Sequence, residues 1–184
     1  MRCDHFDAGT CRSCSLLPQP YERQLAGKAE AVAATLSPVL GADEIAWLAP
    51  ASSPQKGFRT SAKLVVGGTR RRPTLGILGP DRRGIDLPGC PIQHPAINRA
   101  TPGLKRFIRS LSLTPYDVPT KRGELKNILI TVGAGEQLMI RFVLRTRERV
   151  SDIRSALPLL RNLVPSAHVV TANIHPTHEA IVEG

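Results

Sequence analysis

The stretch LKNILITV-GAGE-QLMIRFVL (Leu125–Val132, Gly133–Glu136, Gln137–Leu144) decides the fold. Two apolar, β-branched runs flank a four-residue turn rich in glycine. A glycine turn after a strand resembles a nucleotide-binding loop, but such a loop must lead into a helix whose N-terminus meets phosphate. This one leads into QLMIRFVL, which alternates like a strand, so the reading is a β-hairpin. Outward from it, Ser151–Leu163 reads as a helix, and Ala167–Ile174 and Glu179–Glu183 as two more strands. An antiparallel sheet with a helix packed on it follows, an α+β layout.

Upstream, Ala62–Val66 and Thr74–Leu78 are strand-like runs, joined through Thr69-Arg70-Arg71-Arg72-Pro73 as a hairpin connection. Leu87–Pro91 is a proline-braced loop. His94–Leu113 has a helical stripe of Leu104, Phe107, Ile108 and Leu111, with an interruption expected at Pro102-Gly103. Tyr21–Leu36 reads as a helix with Leu25, Ala29, Val32, Ala33 and Leu36 on one face, closed by Pro38 and Gly41; Ile45–Leu48 reads as a short strand. Residues 1–18 have no hydrophobic period and read as a loop. The expected organisation is a cysteine-rich loop over 1–20, a helix over 21–41 and an α+β domain over 42–184.

The 184 residues suit one domain with an appendage. No apolar run reaches about 18 residues, and Met1–Ser15 lacks the apolar core of a secretory signal, so a cytoplasmic protein with reduced thiols is expected. The net charge is +10 and it is concentrated. Residues 54–149 hold 19 Lys/Arg against six Asp/Glu, a net of +13, while residues 1–53 carry −2 and residues 150–184 carry −1. A basic block flanked by mildly acidic ends is the footprint of a polyanion partner, most commonly nucleic acid.

Within that block, Phe58-Arg59-Thr60-Ser61-Ala62-Lys63 places Arg59, Ser61 and Lys63 on one face of an extended strand, with Phe58 as a stacking surface. Lys121-Arg122-Gly123-Glu124-Leu125-Lys126 is a basic turn entering a strand. Phe58, Arg59, Lys63, Lys121, Arg122 and Lys126 are the candidate nucleic-acid contacts. Aromatics are only 4% of the chain, so recognition by charge and shape is expected rather than a broad stacking platform. His175-Pro176-Thr177-His178 offers two imidazoles, but the proline makes a turn and no third ligand is close in sequence, which argues against a metal there.

The cysteines carry the sharpest signal. Cys11 and Cys14 form a C-x₂-C, Cys3 lies shortly before them, and Cys90 stands alone before a proline. One tight pair and two single cysteines match the usual two-pair zinc pattern poorly. Four thiolates also hold iron–sulfur clusters. On residue chemistry alone a [4Fe–4S] cluster, zinc and unligated thiols all stand.

Met-x-Cys-x₇-Cys-Arg-Ser-Cys with Gln24-Leu25 in the following helix resembles the N-terminus of bacterial 23S rRNA (uracil-C5)-methyltransferases, in the branch without an N-terminal TRAM domain. The resemblance continues through Gly57-Phe58-Arg59 and Lys63, Cys90-Pro91, Leu113–Tyr116, Lys121–Lys126, Leu138–Arg145, and Asn173-Ile174 on to Glu183-Gly184. It implies that Cys3, Cys11, Cys14 and Cys90 hold a [4Fe–4S] cluster and that the central α+β region grips ribosomal RNA. It further implies a C-terminal Rossmann-like domain, absent from these 184 residues, that binds S-adenosylmethionine and carries the catalytic groups. There a thiolate adds to uracil C6, C5 attacks the cofactor methyl, and a base removes the C5 proton. The chain has four cysteines and all match cluster positions, so none remains as that nucleophile, and no cofactor-binding glycine motif is present. The expectation is that this chain alone does not catalyse methyl transfer. Two other readings are a non-enzymatic RNA-binding protein with a Cys₄ metal site and an iron–sulfur electron carrier.

Overall fold

A computed structural model of the chain describes residues 1–40 and 46–177. The chain divides into two compact units, Met1–Phe58 and Arg59–Gly184.

The first unit contains two helices. α1 is a single turn, Asp4–Asp7, where a loop was expected. The Cys3 carbonyl accepts the Phe6 and Asp7 amides at 3.0 and 2.9 Å, satisfying donors that an isolated turn would leave free. α2 spans Tyr21–Leu40, longer than expected, and Pro38 lies inside its last turn. None of its residues is buried: Leu25, Ala29 and Ala33 are half-buried, whereas Val32 and Leu36 are exposed. The apolar stripe therefore forms the helix without serving as a core in this unit. Residues 46–48 form no strand, and Gly41 and Ile45 lie outside the described residues.

The second unit is a six-stranded sheet with helices against one face. Its strands are β1 Ser61–Gly68, β2 Pro73–Leu78, β3 Gly84–Asp86, β4 Leu125–Val132, β5 Leu138–Leu144 and β6 Ala167–Ile174, in the order β3-β2-β1-β4-β5-β6. The hairpin read from Leu125–Leu144 forms as expected, pairing Thr131 with Met139 and Ile128 with Phe142. Gly133 donates to the Gln137 carbonyl at 2.7 Å across the turn. β3 is too short to show a hydrophobic period and was not expected from sequence.

The antiparallel reading of the sheet is corrected. The sheet is antiparallel except at its edge, where β6 runs parallel to β5. A parallel neighbour requires a crossover, and the segment read as one helix over Ser151–Leu163 supplies it. That segment is two helices, α4 Val150–Ser155 and α5 Leu157–Leu163, which meet at Ala156 just before Pro158. The strand expected over Glu179–Glu183 lies outside the described residues.

α3, Pro95–Ser110, is continuous, with no break at Pro102-Gly103. His94 caps it, its Nδ1 accepting the Ala96 amide at 3.2 Å. Leu104, Phe107 and Ile108 are fully buried and pack with Ala62, Leu64, Val66, Ile128, Ile130 and Phe142. Phe107 and Phe142 lie with ring centroids 5.6 Å apart. Each such large side chain contributes about 1.5–3 kcal/mol of burial. Gly103 lets α3 and α5 touch: a Cβ there would stand 2.3 Å from the Leu163 carbonyl oxygen.

The strand alternation leaves a second face free of helices. Ser61, Lys63 and Val65 of β1 register with Thr131, Leu129 and Asn127 of β4, and these with Met139, Arg141 and Val143 of β5. That opposite face carries the candidate site.

Candidate functional site

A cleft of about 530 Å³ opens on the helix-free face. Val65 and Asn127 belong to its floor, Lys63 and Arg82 stand on one side, and Tyr116, Val118 and Lys121 come from the segment leading into β4. That segment is held close. Tyr116 N donates to Leu125 O at 2.9 Å, and Asp117 N to Arg122 O at 2.7 Å.

The Lys121–Lys126 run is shaped by its backbone. Asp117 Oδ2 accepts both the Thr120 amide (3.1 Å) and the Thr120 hydroxyl (2.6 Å), which closes the turn before Lys121. These hydrogen bonds hold the Asp117 carboxyl below its usual range. Lys121 has φ 56°, and Gly123 has φ 106°. A Cβ on Gly123 would stand 2.1 Å from the Pro115 carbonyl oxygen, so only glycine lets the turn lie against the Pro115–Tyr116 backbone. The result presents Lys121 and Arg122 to solvent.

Lys126 is placed differently from its neighbours. The β4–β5 register steps by two residues on β4, Leu125 to Asn127, against one on β5, Leu144 to Val143, so Lys126 is the extra residue of a β-bulge. Its side chain is 7% exposed. The Nζ lies 3.2 Å from His175 Nδ1, donates to the Thr177 carbonyl, and stands 4.9 Å from the Tyr116 ring centre. Burial, then the nearby Arg145 charge, lowers the Lys126 pKa, with Glu124 opposing. Burial raises that of Tyr116. Lys126 thus forms the inner wall of the cleft. Lys63 is exposed at its mouth.

Arg59 and Phe58 are exposed. The Arg59 backbone is fixed against the loop after Cys90: Arg59 N donates to Ile92 O and His94 N to Arg59 O, each at 2.9 Å. Cys90 sits on a rigid loop, its carbonyl accepting Gln93 N at 3.1 Å and Asn98 Nδ2 at 3.0 Å. His175 Nε2 lies 3.0 Å from Thr177 Oγ1, while its other nitrogen meets Lys126; its partner in the sequence motif, His178, lies outside the described residues. Sequence reasoning missed Tyr116, Arg82 and His175 as cleft residues, because the register and the bulge bring them together.

In the first unit the cysteine loop folds back on itself. Cys11 N and Thr10 Oγ1 both donate to His5 O at 3.0 Å. Gln24 of α2 donates to the carbonyls of Leu16 and Gln19, each at 3.0 Å, tying the loop to the helix. Cys3 is buried, and Cys11 and Cys14 are half-buried, as is Cys90 in the second unit. None of the four is in a disulfide, and as soft donors they fit thiolate ligation in kind. Among the described residues, no three Cys, His, Asp or Glu side chains are grouped closely enough to hold a metal ion. No described helix is long and apolar enough to cross a membrane.

No protein-family model matches the chain. Three relatives match its whole length. They are 23S rRNA (uracil(747)-C(5))-methyltransferases of Enterobacter sp. (strain 638), at 43% identity, Cronobacter sakazakii, at 45%, and Serratia proteamaculans, at 42%. The chain covers 48% of each, so it spans about half the length of these relatives. Among solved structures, it is similar to the Pyrococcus abyssi tRNA (uracil-54, C5)-methyltransferase in complex with S-adenosyl-L-homocysteine. The TM-score is 0.65 at 20% identity, covering 95% of this chain and 39% of that one. That likeness is one of fold.

Proposed function

From the premise that this chain belongs to the 23S rRNA (uracil-C5)-methyltransferase family, we propose that its 184 residues form a cluster-bearing, RNA-gripping portion of such an enzyme. The observation that carries this reading is the cleft on the helix-free face. It gathers Lys63, Arg82 and Lys121 around one opening, with Lys126 sealed at its inner wall, in a chain whose charge excess lies wholly within residues 54–149. Cations at the mouth meet phosphate oxygens. Val65, Val118 and the Tyr116 ring offer a less polar floor and wall against which a sugar or base rests. Arg59, Arg122 and Phe58 extend the contact candidates beyond the cleft.

Cys3, Cys11, Cys14 and Cys90 would hold a [4Fe–4S] cluster in a structural role. The support is the thiol set itself and its match to the family's spacing. Ligation by all four would join the N-terminal loop to the rigid Cys90 loop. S-adenosylmethionine supplies the methyl group in the family. In this reading every cysteine of the chain serves the cluster, so no thiolate here adds to uracil C6. The residues of this chain bind and orient RNA.

Two measurements test the reading. Iron and acid-labile sulfide are quantified after anaerobic purification, with about four of each per chain expected; stoichiometric zinc without iron would sink the cluster assignment. Binding to a ribosomal RNA stem-loop is then measured across a salt series. Affinity that stays flat as salt rises would remove the basis of the charge argument.

A further inference from the structure

We propose that the turn between β1 and β2, together with the exposed face of α3, forms a second polyanion site. It takes the phosphodiester backbone of helical RNA without reading its bases. This rests on the reading of RNA as partner and adds a second surface to it.

The turn is rigid. Thr69 N donates to Arg72 O, and Arg72 N to both Thr69 O and Thr69 Oγ1, each at 3.1 Å. Arg70 and Arg71 therefore stand at the tip of a closed turn rather than on a loose loop. On α3, Arg106 and Arg109 are three residues apart, share a face and are exposed, while Leu104, Phe107 and Ile108 face the core. Two hollows of about 550 and 420 Å³ lie between turn and helix, and both are lined by Arg71 and Arg109. They form one continuous basic trough.

The chemistry of this trough is one-sided. Arg70, Arg71, Arg72, Arg106 and Arg109 line it, and no carboxylate does. Lys105 also lines it but is already paired with Asp86 at 2.5 Å. Among the described residues none of the five arginines is in an ion pair, although Arg2, Arg99 and Arg149 elsewhere all are. Five unneutralised guanidinium groups around one trough repel one another, and a polyanion relieves that repulsion. Each guanidinium offers a planar fork that matches two phosphate oxygens.

No aromatic side chain lines the trough, so it offers no surface for stacking an unpaired base. Duplex RNA, recognised through backbone and shape, fits these donors better than a single strand. The trough lies on the helix-bearing side of the sheet, whereas Lys63 points to the opposite side. A duplex here and a looped segment in the cleft would be held by different residues.

The test uses the full chain, a 20-base-pair RNA duplex of arbitrary sequence and a single strand of equal length, with binding followed by fluorescence anisotropy across a salt series. The paired change Arg71→Gln with Arg109→Gln should weaken duplex binding five- to tenfold. It should lower the log–log salt slope by roughly 1.4–1.8 in size, two contacts at roughly 0.7–0.9 each. Arg71→Lys with Arg109→Lys should keep the slope while losing part of the affinity. A scrambled duplex should show the same loss. Because both residues are exposed, urea midpoints should match the wild type; the lysine pair keeps the test sound should the glutamine pair fold poorly. Unchanged duplex binding in the glutamine pair overturns the trough, and a simultaneous loss in Lys63→Ala leaves the cleft reading standing. A loss confined to one sequence, or to the single strand, also overturns it. If the wild type binds no RNA at all, both readings fall.

Discussion

Lys126 Nζ and His175 Nδ1 lie 3.2 Å apart, joining the start of β4 to the residue just after β6, and both residues are buried at 7% and 5% exposure. The bulge at Lys126 makes this possible. If Lys126 instead took a regular place in the ladder, Leu125 and Ile128, three residues apart, would face opposite sides of the sheet, and one of two fully buried side chains would leave the helix-packed core. Lys126 therefore closes the inner end of the cleft.

Lys126→Ala should cost about 1–3 kcal/mol, because it removes the amine that meets the buried His175 ring and donates to the part-buried Thr177 carbonyl. Lys121→Ala, at an exposed position, should stay within about 0.5 kcal/mol. Urea unfolding of the two variants compares them directly. The pH dependence has a definite sign. The folded Lys126 pKa lies below its usual 10.5, so the unfolded chain binds more protons in that window. Wild type should gain stability relative to Lys126→Met as pH rises toward 10.5, and lose the gain as pH falls through the folded pKa.

Gly103→Ala reverses the usual helix rule. Alanine inside a helix normally stabilises by up to about 1 kcal/mol over glycine. Here its Cβ meets the Leu163 carbonyl oxygen at 2.3 Å and Val164 Cγ2 at 2.7 Å. The expected outcome is a loss of about 1–3 kcal/mol, read as a lower urea midpoint. A stabilised variant would contradict the close α3–α5 packing.

Asp117→Ala should loosen the turn that presents Lys121. The carboxyl pKa is held below 3.8 by the Thr120 hydroxyl and amide. Its contribution is therefore present above that pH and is lost as pH falls through the folded value. Melting temperatures of wild type and variant should differ at neutral pH and converge in acid. A gap that persists at low pH would show that the turn does not depend on the carboxylate charge.

Lys63→Ala and Lys121→Ala should each reduce the log–log salt slope for a ribosomal RNA stem-loop by roughly 0.7–0.9 in size. Lys126→Ala should leave that slope nearly unchanged, because its ammonium is occupied by His175 and Thr177 inside the fold. A salt-titration series on the three variants separates surface cations from the buried one.

Much of the sheet was legible in the residues. The glycine turn at Gly133–Glu136 and the alternation of Leu138–Leu144 state a hairpin outright, and β4 and β6 begin and end where their apolar runs do. The break expected at Pro102-Gly103 did not form. Proline removes one donor and glycine lowers helix propensity, but packing of Gly103 against α5 and burial of Leu104 and Phe107 outweigh both. The parallel β5–β6 pairing was not legible, because strand direction is set by where the crossover helices pack. The stripe of α2, half-buried at Leu25, Ala29 and Ala33 and exposed at Val32 and Leu36, shows the converse: periodicity reports a helix, not its partner.

The sequence by itself determined the four-cysteine set, the charge block over 54–149 and the identity of most strands and helices, because these depend on composition, spacing and local periodicity. Only the tertiary structure decided which cations share a surface. Lys121 and Lys126 are five residues apart, yet one faces solvent and the other is sealed against His175, while Arg71 and Arg109 converge across 38 positions. A single-residue bulge and the packing of α3 on the sheet set those outcomes, and both arise from long-range register and close packing rather than from any local run of residues.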